Sequence, residues 1–223
     1  MDFMVVDDVE PLYATLFRRA PIYDLVLSCL SPRALIWLAR TCRVVYYAVL
    51  EFKSRAFNVN NHFSRYFNDP IAFRCLQART NTLVSGSSAL QFLDRTFYPE
   101  ADLDLYTHPG HSYEVVQYLV ETEGYEYIPR DDDDDDDEPR DWKEIIRDDW
   151  DGTLPRVSRG VNRGYPLKGI SAVCTFKRSG PKHECKVQVI EAKSSPVEII
   201  LDFHSSASSL AGLTALTCPQ RAS

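Results

Sequence analysis

Apolar residues recur at helical spacing in the first part of the chain. Ser31 and Pro32 supply an N-cap and a proline for a first turn, and apolar residues then return every three or four positions as far as Val49. This spacing predicts one amphipathic helix, and a shorter helical pattern opens at Pro21. We therefore expect residues 1–68 to form a small helical segment whose apolar faces need a partner or the next domain. The predicted face consists of Leu35, Leu38, Ala39, Cys42, Val45, Tyr46 and Val49.

The pattern changes near residue 69, where short strands begin to alternate with helices. Residues 82–84 predict a strand, residues 85–88 a tight turn of small residues, and a helix follows. Residues 102–106 alternate polar and apolar side chains, as a half-buried strand does. Later segments extend this mixed pattern to about residue 205. They are a helix from Ser112 to Gly124, strands over 170–176 and 185–190, and a helix opened by a capping box at Ser195–Glu198.

Composition and charge narrow the class of protein. The chain has 223 residues, of which 44% are hydrophobic, so it can bury a sizeable core and is not disordered throughout. Its net charge is −7, but the acids at 131–138 contribute −8, so the remainder is nearly neutral and indicates no nucleic-acid partner. We expect residues 130–165 to be a solvated insertion loop and residues 206–223 to be a frayed tail.

Cysteine usage and the first residues indicate a compartment. The six cysteines are scattered without a CxxC pair, and the N-terminal residues are acidic where a signal peptide would be basic. No apolar run approaches the length of a membrane span. The sequence therefore predicts a soluble cytoplasmic or nuclear protein that is neither secreted nor bound to a membrane.

One constellation could carry chemistry. Asp102 and Asp104 lie two residues apart on a predicted strand, so both carboxylates face one side, and two converging carboxylates suit Mg²⁺. Gly86, Ser87 and Ser88 form a turn between a strand and a helix, where backbone N–H groups can hold a phosphate and Ser87 can add a hydroxyl. The alternative is a simple glycine turn with two solvated aspartates on an exposed strand.

The order of these motifs resembles the nucleotidyltransferase superfamily, with its hG[GS] turn followed by a [DE]h[DE] strand. The matching text is Val84-Ser85-Gly86-Ser87 and Asp102-Leu103-Asp104-Leu105, and the resemblance covers about 82–203. It implies a domain with a mixed sheet that binds a nucleoside triphosphate and Mg²⁺, with Asp102 and Asp104 as metal ligands and catalytic acids.

The family normally adds a third carboxylate on a later strand, and here the corresponding mid-strand position is Gln188. An amide binds a hard cation more weakly than a carboxylate and cannot act as a base. This departure implies a degenerate member that binds nucleotide without transferring it. The alternative is an active nucleotidyltransferase in which Glu184, Glu191 or Asp202 supplies the third acid.

The front of the chain resembles an F-box. Residues 21–32 are similar to the opening of that motif and residues 35–46 to its continuation, although the opening reads Ala20-Pro21-Ile22-Tyr23 instead of Leu-Pro and an acid. The resemblance implies docking onto the Skp-type linker of a cullin ubiquitin ligase; the alternative is a helical lid on the following domain. The implied partner-binding residues are Leu25, Leu30, Pro32, Leu35 and Leu38.

The two pieces together are similar to a group of fungal proteins that join an F-box-like front to a nucleotidyltransferase-like body. We expect an α+β protein with an F-box-like segment at 1–68 and a nucleotidyltransferase-like domain at 69–205. Three function classes remain open at this point. They are a binding or adaptor module, an active metal-dependent nucleotidyltransferase, and a structural or truncated product with no ligand.

Overall fold

The fold comes from a computed structural model that describes residues 12–129, 141–146, 169–179 and 184–202. The chain divides into two compact units, residues 1–58 and residues 59–223. The composition change that separates the predicted segments lies ten residues after this boundary, because Phe63, Tyr66 and Phe67 pack into the core of the second unit. The acidic and basic stretch at 130–165 lies mostly, and the tail at 206–223 entirely, outside the described residues.

Helices form the first unit. They are α1 (Leu12–Phe17), α2 (Ala20–Ser28), α3 (Pro32–Ala39) and α4 (Arg43–Ala56). Their shared core consists of Tyr23, Leu27, Leu35, Val45, Ala48, Val49 and Phe52. The Ser31 cap is confirmed, since its hydroxyl accepts a hydrogen bond from the Ala34 amide at 3.2 Å.

The prediction of one helix across residues 32–49 is wrong. The chain breaks between Ala39 and Arg43, where the Thr41 hydroxyl donates to the Leu38 carbonyl at 2.7 Å and Cys42 is fully extended. A threonine hydroxyl that bonds to the preceding turn competes with the helical pattern. The apolar spacing continues across the break because both helices bury one face in the same core.

The second unit contains the sheet and the remaining helices. Its helices are α5 (Val59–Phe63), α6 (Pro70–Thr80), α7 (Gly86–Asp94), α8 (Ser112–Gln117), α9 (Trp142–Ile145) and α10 (Pro196–Leu201). A π-helical turn, Tyr118–Thr122, continues α8. Its strands are β1 (Leu83–Ser85), β2 (Leu103–Thr107), β3 (Glu126–Ile128), β4 (Ile170–Ser179) and β5 (Glu184–Ala192).

The five described strands form one mixed sheet in the order β1-β2-β5-β4-β3. β2 and β5 run parallel, and the other neighbouring pairs run antiparallel. The prediction of an α+β protein is therefore confirmed. The turn predicted over 85–88 is instead the end of β1 and the first turn of α7, and β2 begins at Leu103, so Asp102 lies just before the strand.

A buried ionic network stiffens the second unit. The Glu123 carboxylate, 1% exposed, pairs with Arg178 on β4 at 2.8 Å and accepts hydrogen bonds from the Tyr118 hydroxyl and the Asn68 amide. Arg178 also donates to the Tyr66 carbonyl at 2.8 Å. The network thus joins the π-helical turn, β4 and the loop after α5.

No helix within the described ranges is long and apolar enough to cross a membrane.

Candidate functional site

Asp104 lies on β2, which has a neighbouring strand on each side. On β2 it pairs with Ser85 of the antiparallel strand β1 and with Gln188 of the parallel strand β5. Residues in register on neighbouring strands project to the same face, so Asp104 and Gln188 share one side of the sheet. Its position is therefore fixed by pairing on both sides of the strand.

Gly86 lies directly against Asp104. An added Cβ on this glycine would come within 1.9 Å of the Asp104 Oδ2 and 3.0 Å of its Cγ. Gly86 also has a φ of +73°, which favours glycine. The start of α7 thus touches the Asp104 carboxylate, and no larger residue fits there without displacing it.

Asp102 completes the pair of carboxylates. The Gln188 side-chain amide donates to the Asp102 Oδ2 at 3.2 Å. The structure therefore brings Asp102, Asp104, Gln188 and Gly86 together, although Asp102 lies outside the paired part of β2.

Burial and a like charge act on Asp104. They raise its pKa from 3.8 to about 7, with burial as the larger cause and the Asp102 charge as the smaller. Removing a carboxylate from water disfavours its charged form, and a neighbouring negative charge adds to this cost. A cation between the two side chains would relieve both effects.

This shift predicts the pH dependence of stability. Between about pH 4 and 7 the folded protein keeps a proton on Asp104 that the unfolded chain has released, so this contribution to stability falls as the pH rises. In Asp104→Asn we expect the contribution to vanish, making the variant more stable than wild type above pH 7 by up to about 4 kcal/mol. Near pH 4 we expect the advantage to disappear. Denaturant titrations of both proteins across this range measure the difference.

Protonation of His62 changes the stability with pH in the opposite direction, so its contribution must be subtracted. Burial, and then the Arg65 charge, lower the His62 pKa from 6.5 to about 4, so its contribution rises between these pH values. Because His62 is present in both proteins, the difference curve isolates Asp104. Parallel curves for wild type and Asp104→Asn would contradict the assignment.

The serines after Gly86 have different surroundings. Ser87 is exposed, whereas Ser88 is fully buried and its hydroxyl lies 2.9 Å from the His62 Nε2. Ser88 is therefore unavailable to a phosphate, and its candidacy as a phosphate-binding residue is withdrawn. Gly86 and Ser87 remain.

The alternative third acids do not join the pair. Within the described parts of the chain, no group of three or more His, Cys, Asp or Glu side chains could hold a metal ion. Glu184 is exposed at the far end of β5, Glu191 is buried and accepts from the Gly110 amide, and Asp202 lines a surface depression beside Gly169. From β5, the Gln188 side chain reaches Asp102.

Sequence reasoning missed the residues after α5 that contact the loop before Asp102. The Tyr66 hydroxyl donates to the Ala101 carbonyl at 3.2 Å, and Arg65 donates to the carbonyls of Tyr98 and Pro99. These contacts join positions more than thirty residues apart through single polar side chains. No periodicity or motif in the sequence signals them.

The candidate partner-binding residues of the first unit differ in their exposure to solvent. Leu25 is 73% exposed and Pro32 is exposed, Leu30 and Leu38 are half-buried, and Leu35 is 1% exposed in the core. Leu35 therefore belongs to the interior and cannot contact a partner directly. Other exposed apolar side chains of this unit are Leu12, Leu16, Ile22, Val26, Ile36, Trp37, Tyr46, Tyr47 and Leu50. Tyr46 therefore does not belong to the buried face predicted for it.

Comparison with known proteins gives no match to a family model, a curated protein or a solved structure. The functional argument therefore depends on the site itself.

Proposed function

We propose that the second unit binds a nucleoside triphosphate together with one Mg²⁺ ion and transfers its nucleotidyl group poorly or not at all. The observation that carries this proposal is the meeting of Gly86, Asp102, Asp104 and Gln188 at one place. It also draws on the resemblance of the Gly86-Ser87 turn and the Asp102–Asp104 pair to nucleotidyltransferases.

The donor set fits one hard cation. Asp102 and Asp104 offer carboxylate oxygens, which Mg²⁺ prefers, and Mg²⁺ commonly uses one or two carboxylates with substrate phosphates as its other ligands. The unfavourable burial of Asp104 beside a second acid is a cost that a cation offsets. Bound there, Mg²⁺ would neutralise phosphate charge.

Other groups of the chain would bind the phosphates. The first N–H groups of α7 have no intrahelical acceptor and could donate to a phosphate, and Ser87 could add its exposed hydroxyl. The absence of a side chain at Gly86 leaves Asp104 in contact with this turn. Together these groups would hold a triphosphate against the carboxylate pair.

Gln188 limits the chemistry. A two-metal transfer needs charged ligands for the second ion, and a neutral amide supplies none. Gln188 instead uses its N–H to bond Asp102, which occupies one carboxylate oxygen. Binding without efficient transfer is the outcome expected of this arrangement.

Pyrophosphate release separates a binding module from an active transferase. With each triphosphate and Mg²⁺ we expect the wild type to release almost none and Gln188→Asp to gain measurable release, since it restores a charged ligand. Gln188→Asn is the matched control, because it shortens the side chain equally and stays neutral. Wild-type turnover of about 1 per second would favour the active enzyme instead.

We propose that the first unit docks a protein partner, with the Skp-type linker as the candidate. The support is its F-box-like sequence and the number of large apolar side chains that it exposes, among them Leu25 on α2 and Trp37 on α3. Where such side chains form one continuous patch, they are typical of a protein interaction site. The first unit would then act as an adaptor for the nucleotide-binding unit.

Leu25→Asp tests this docking. We expect affinity for a purified Skp-type linker to fall about tenfold or more, because a charge replaces an exposed apolar contact, with stability changed by less than about 0.5 kcal/mol. Calorimetric titration measures the affinity. Leu201→Asp, the same change at a similarly exposed leucine of α10, is the control and should bind like wild type. Equal binding by Leu25→Asp, or none by wild type, would contradict the adaptor role.

A further inference from the structure

The loop before Asp102 determines where this residue lies. Unlike Asp104, it is not paired in the sheet, since β2 begins at Leu103. Residues 96–102 connect α7 to β2 without regular secondary structure. Whatever fixes this loop therefore fixes the first carboxylate relative to the second.

Two consecutive residues, Arg65 and Tyr66, bind the backbone of the loop 96–102. Arg65 donates to the Tyr98 carbonyl at 2.9 Å and also to the Pro99 carbonyl. Its guanidinium lies 4.5 Å from the centre of the Phe97 ring, a cation–π contact. Tyr66 donates through its hydroxyl to the Ala101 carbonyl, next to Asp102. Three carbonyls of the loop thus accept hydrogen bonds from this pair.

The backbone of the pair is itself anchored to the sheet. The Tyr66 carbonyl accepts from the Tyr125 hydroxyl at 2.7 Å and from Arg178 of β4 at 2.8 Å. The Arg65 carbonyl accepts from the Cys185 thiol of β5 at 3.3 Å. The hydrogen bonds therefore connect strands β4 and β5, through residues 65 and 66, to the loop that carries Asp102.

The Tyr66 hydroxyl has little freedom to leave this arrangement. The Tyr66 side chain is fully buried, and its hydroxyl donates to the Ala101 carbonyl. A buried hydroxyl keeps this direction, because turning away from its acceptor leaves a polar group unpaired.

We infer that Arg65 and Tyr66 are positioning residues for Asp102: they hold the carboxylate at the separation from Asp104 that one divalent cation requires. The inference rests on the proposed cation site. Gln188 fixes the same carboxylate from β5. Asp102 is thus held through its backbone from one side and through its side chain from the other.

The variants separate positioning from charge and from general stability. Tyr66→Phe removes the hydroxyl and keeps the ring, and Arg65→Lys keeps the charge but loses the planar fork that reaches two carbonyls. Tyr23→Phe is the control, because it also removes a hydrogen-bonded tyrosine hydroxyl, one that donates to Glu51 in the first unit and not to this network.

The test measures cation affinity and loop protection in the full chain. We follow Mn²⁺ binding by electron paramagnetic resonance. We expect about a tenfold loss of affinity in Tyr66→Phe and Arg65→Lys, the size typical of lost supporting contacts, and no loss in Tyr23→Phe. Hydrogen exchange should become faster at the Ala101 amide, which donates to the Tyr98 carbonyl. Unchanged affinity in both variants, with wild type binding, would overturn the inference.

An NMR signal from the Gln188 side chain tests the positioning of Asp102 independently of cation binding. The amide protons of Gln188 donate to Asp102, so their NMR resonance, assigned by its loss in Gln188→Met, reports where the carboxylate lies. If wild type binds no Mn²⁺, the proposed cation site fails. The inference on positioning then stands if this resonance shifts in Tyr66→Phe and Arg65→Lys but not in the control, and it falls if the resonance does not move.

Discussion

Replacing Gly86 by alanine is expected to destabilise the protein by about 2–5 kcal/mol and to abolish triphosphate binding. The left-handed backbone at this glycine costs about 1–2 kcal/mol for any residue with a Cβ. The new methyl would also overlap the Asp104 Oδ2, which lies 1.9 Å from the ideal Cβ position. Forcing an atom into such a contact costs about 1–3 kcal/mol more. Denaturant unfolding measures the sum.

Gly124→Ala is the matched control for the backbone. Gly124 has a φ of +71°, close to that of Gly86, and an added Cβ there meets no atom of the described structure within 4 Å. It should therefore show the backbone cost alone. The double variant Gly86→Ala/Asp104→Ala should recover the cost of the overlap while still lacking a binding site. Equal losses for Gly86→Ala and Gly124→Ala would contradict the contact between Gly86 and Asp104.

Replacing Glu123 by alanine is expected to cost about 3–5 kcal/mol, the range for leaving a buried charge without its partner. Glu123 is almost fully buried, and its loss would deprive Arg178, Tyr118 and the Asn68 amide of a hydrogen-bond acceptor. The melting temperature should fall by roughly 10 °C. Because Arg178 also holds the Tyr66 carbonyl, we expect the loop before Asp102 to loosen as well.

Glu114→Ala is the control for Glu123→Ala. Glu114 pairs with Arg79, but both side chains are well exposed, so the pair contributes at most about 1 kcal/mol. Glu123→Gln keeps the shape and one acceptor oxygen while removing the charge, and it should lie between the two. If Glu123→Ala costs no more than Glu114→Ala, the network does not hold the unit together.

Local patterns were sufficient to predict much of the fold. Alternation predicted β2, strand-like runs predicted β4 and β5, and the capping serines predicted the starts of α3 and α10. Parity on β5 placed Gln188 on its polar face. These features depend on residues a few positions apart. The short strand β3 and the helix α6 escaped notice, since three residues carry little periodicity and α6 has no strongly one-sided apolar face.

The parts of the site that could not be predicted depend on distant contacts. The hydrogen bonds from Arg65 and Tyr66 to the loop before Asp102 span more than thirty positions, and the bond from Gln188 to Asp102 spans 86. Apolar spacing also does not predict the break at Thr41, where the side-chain hydroxyl bonds to the backbone of the preceding turn. The sequence indicates which residue types are present, but the tertiary fold determines which of them meet.

Binding of Mn²⁺ with a nonhydrolysable triphosphate, followed by isothermal titration calorimetry, tests the central claim most directly. We expect one cation per chain in wild type, with loss of binding in Asp104→Asn and in Asp102→Asn, because each removes one of the two charged ligands. At ten times the dissociation constant, the ligand should raise stability by about 1.4 kcal/mol, or roughly 3–6 °C in melting temperature. Binding that is absent in wild type, or unchanged in both asparagine variants, would contradict the claim that this carboxylate pair holds a nucleotide through a metal ion.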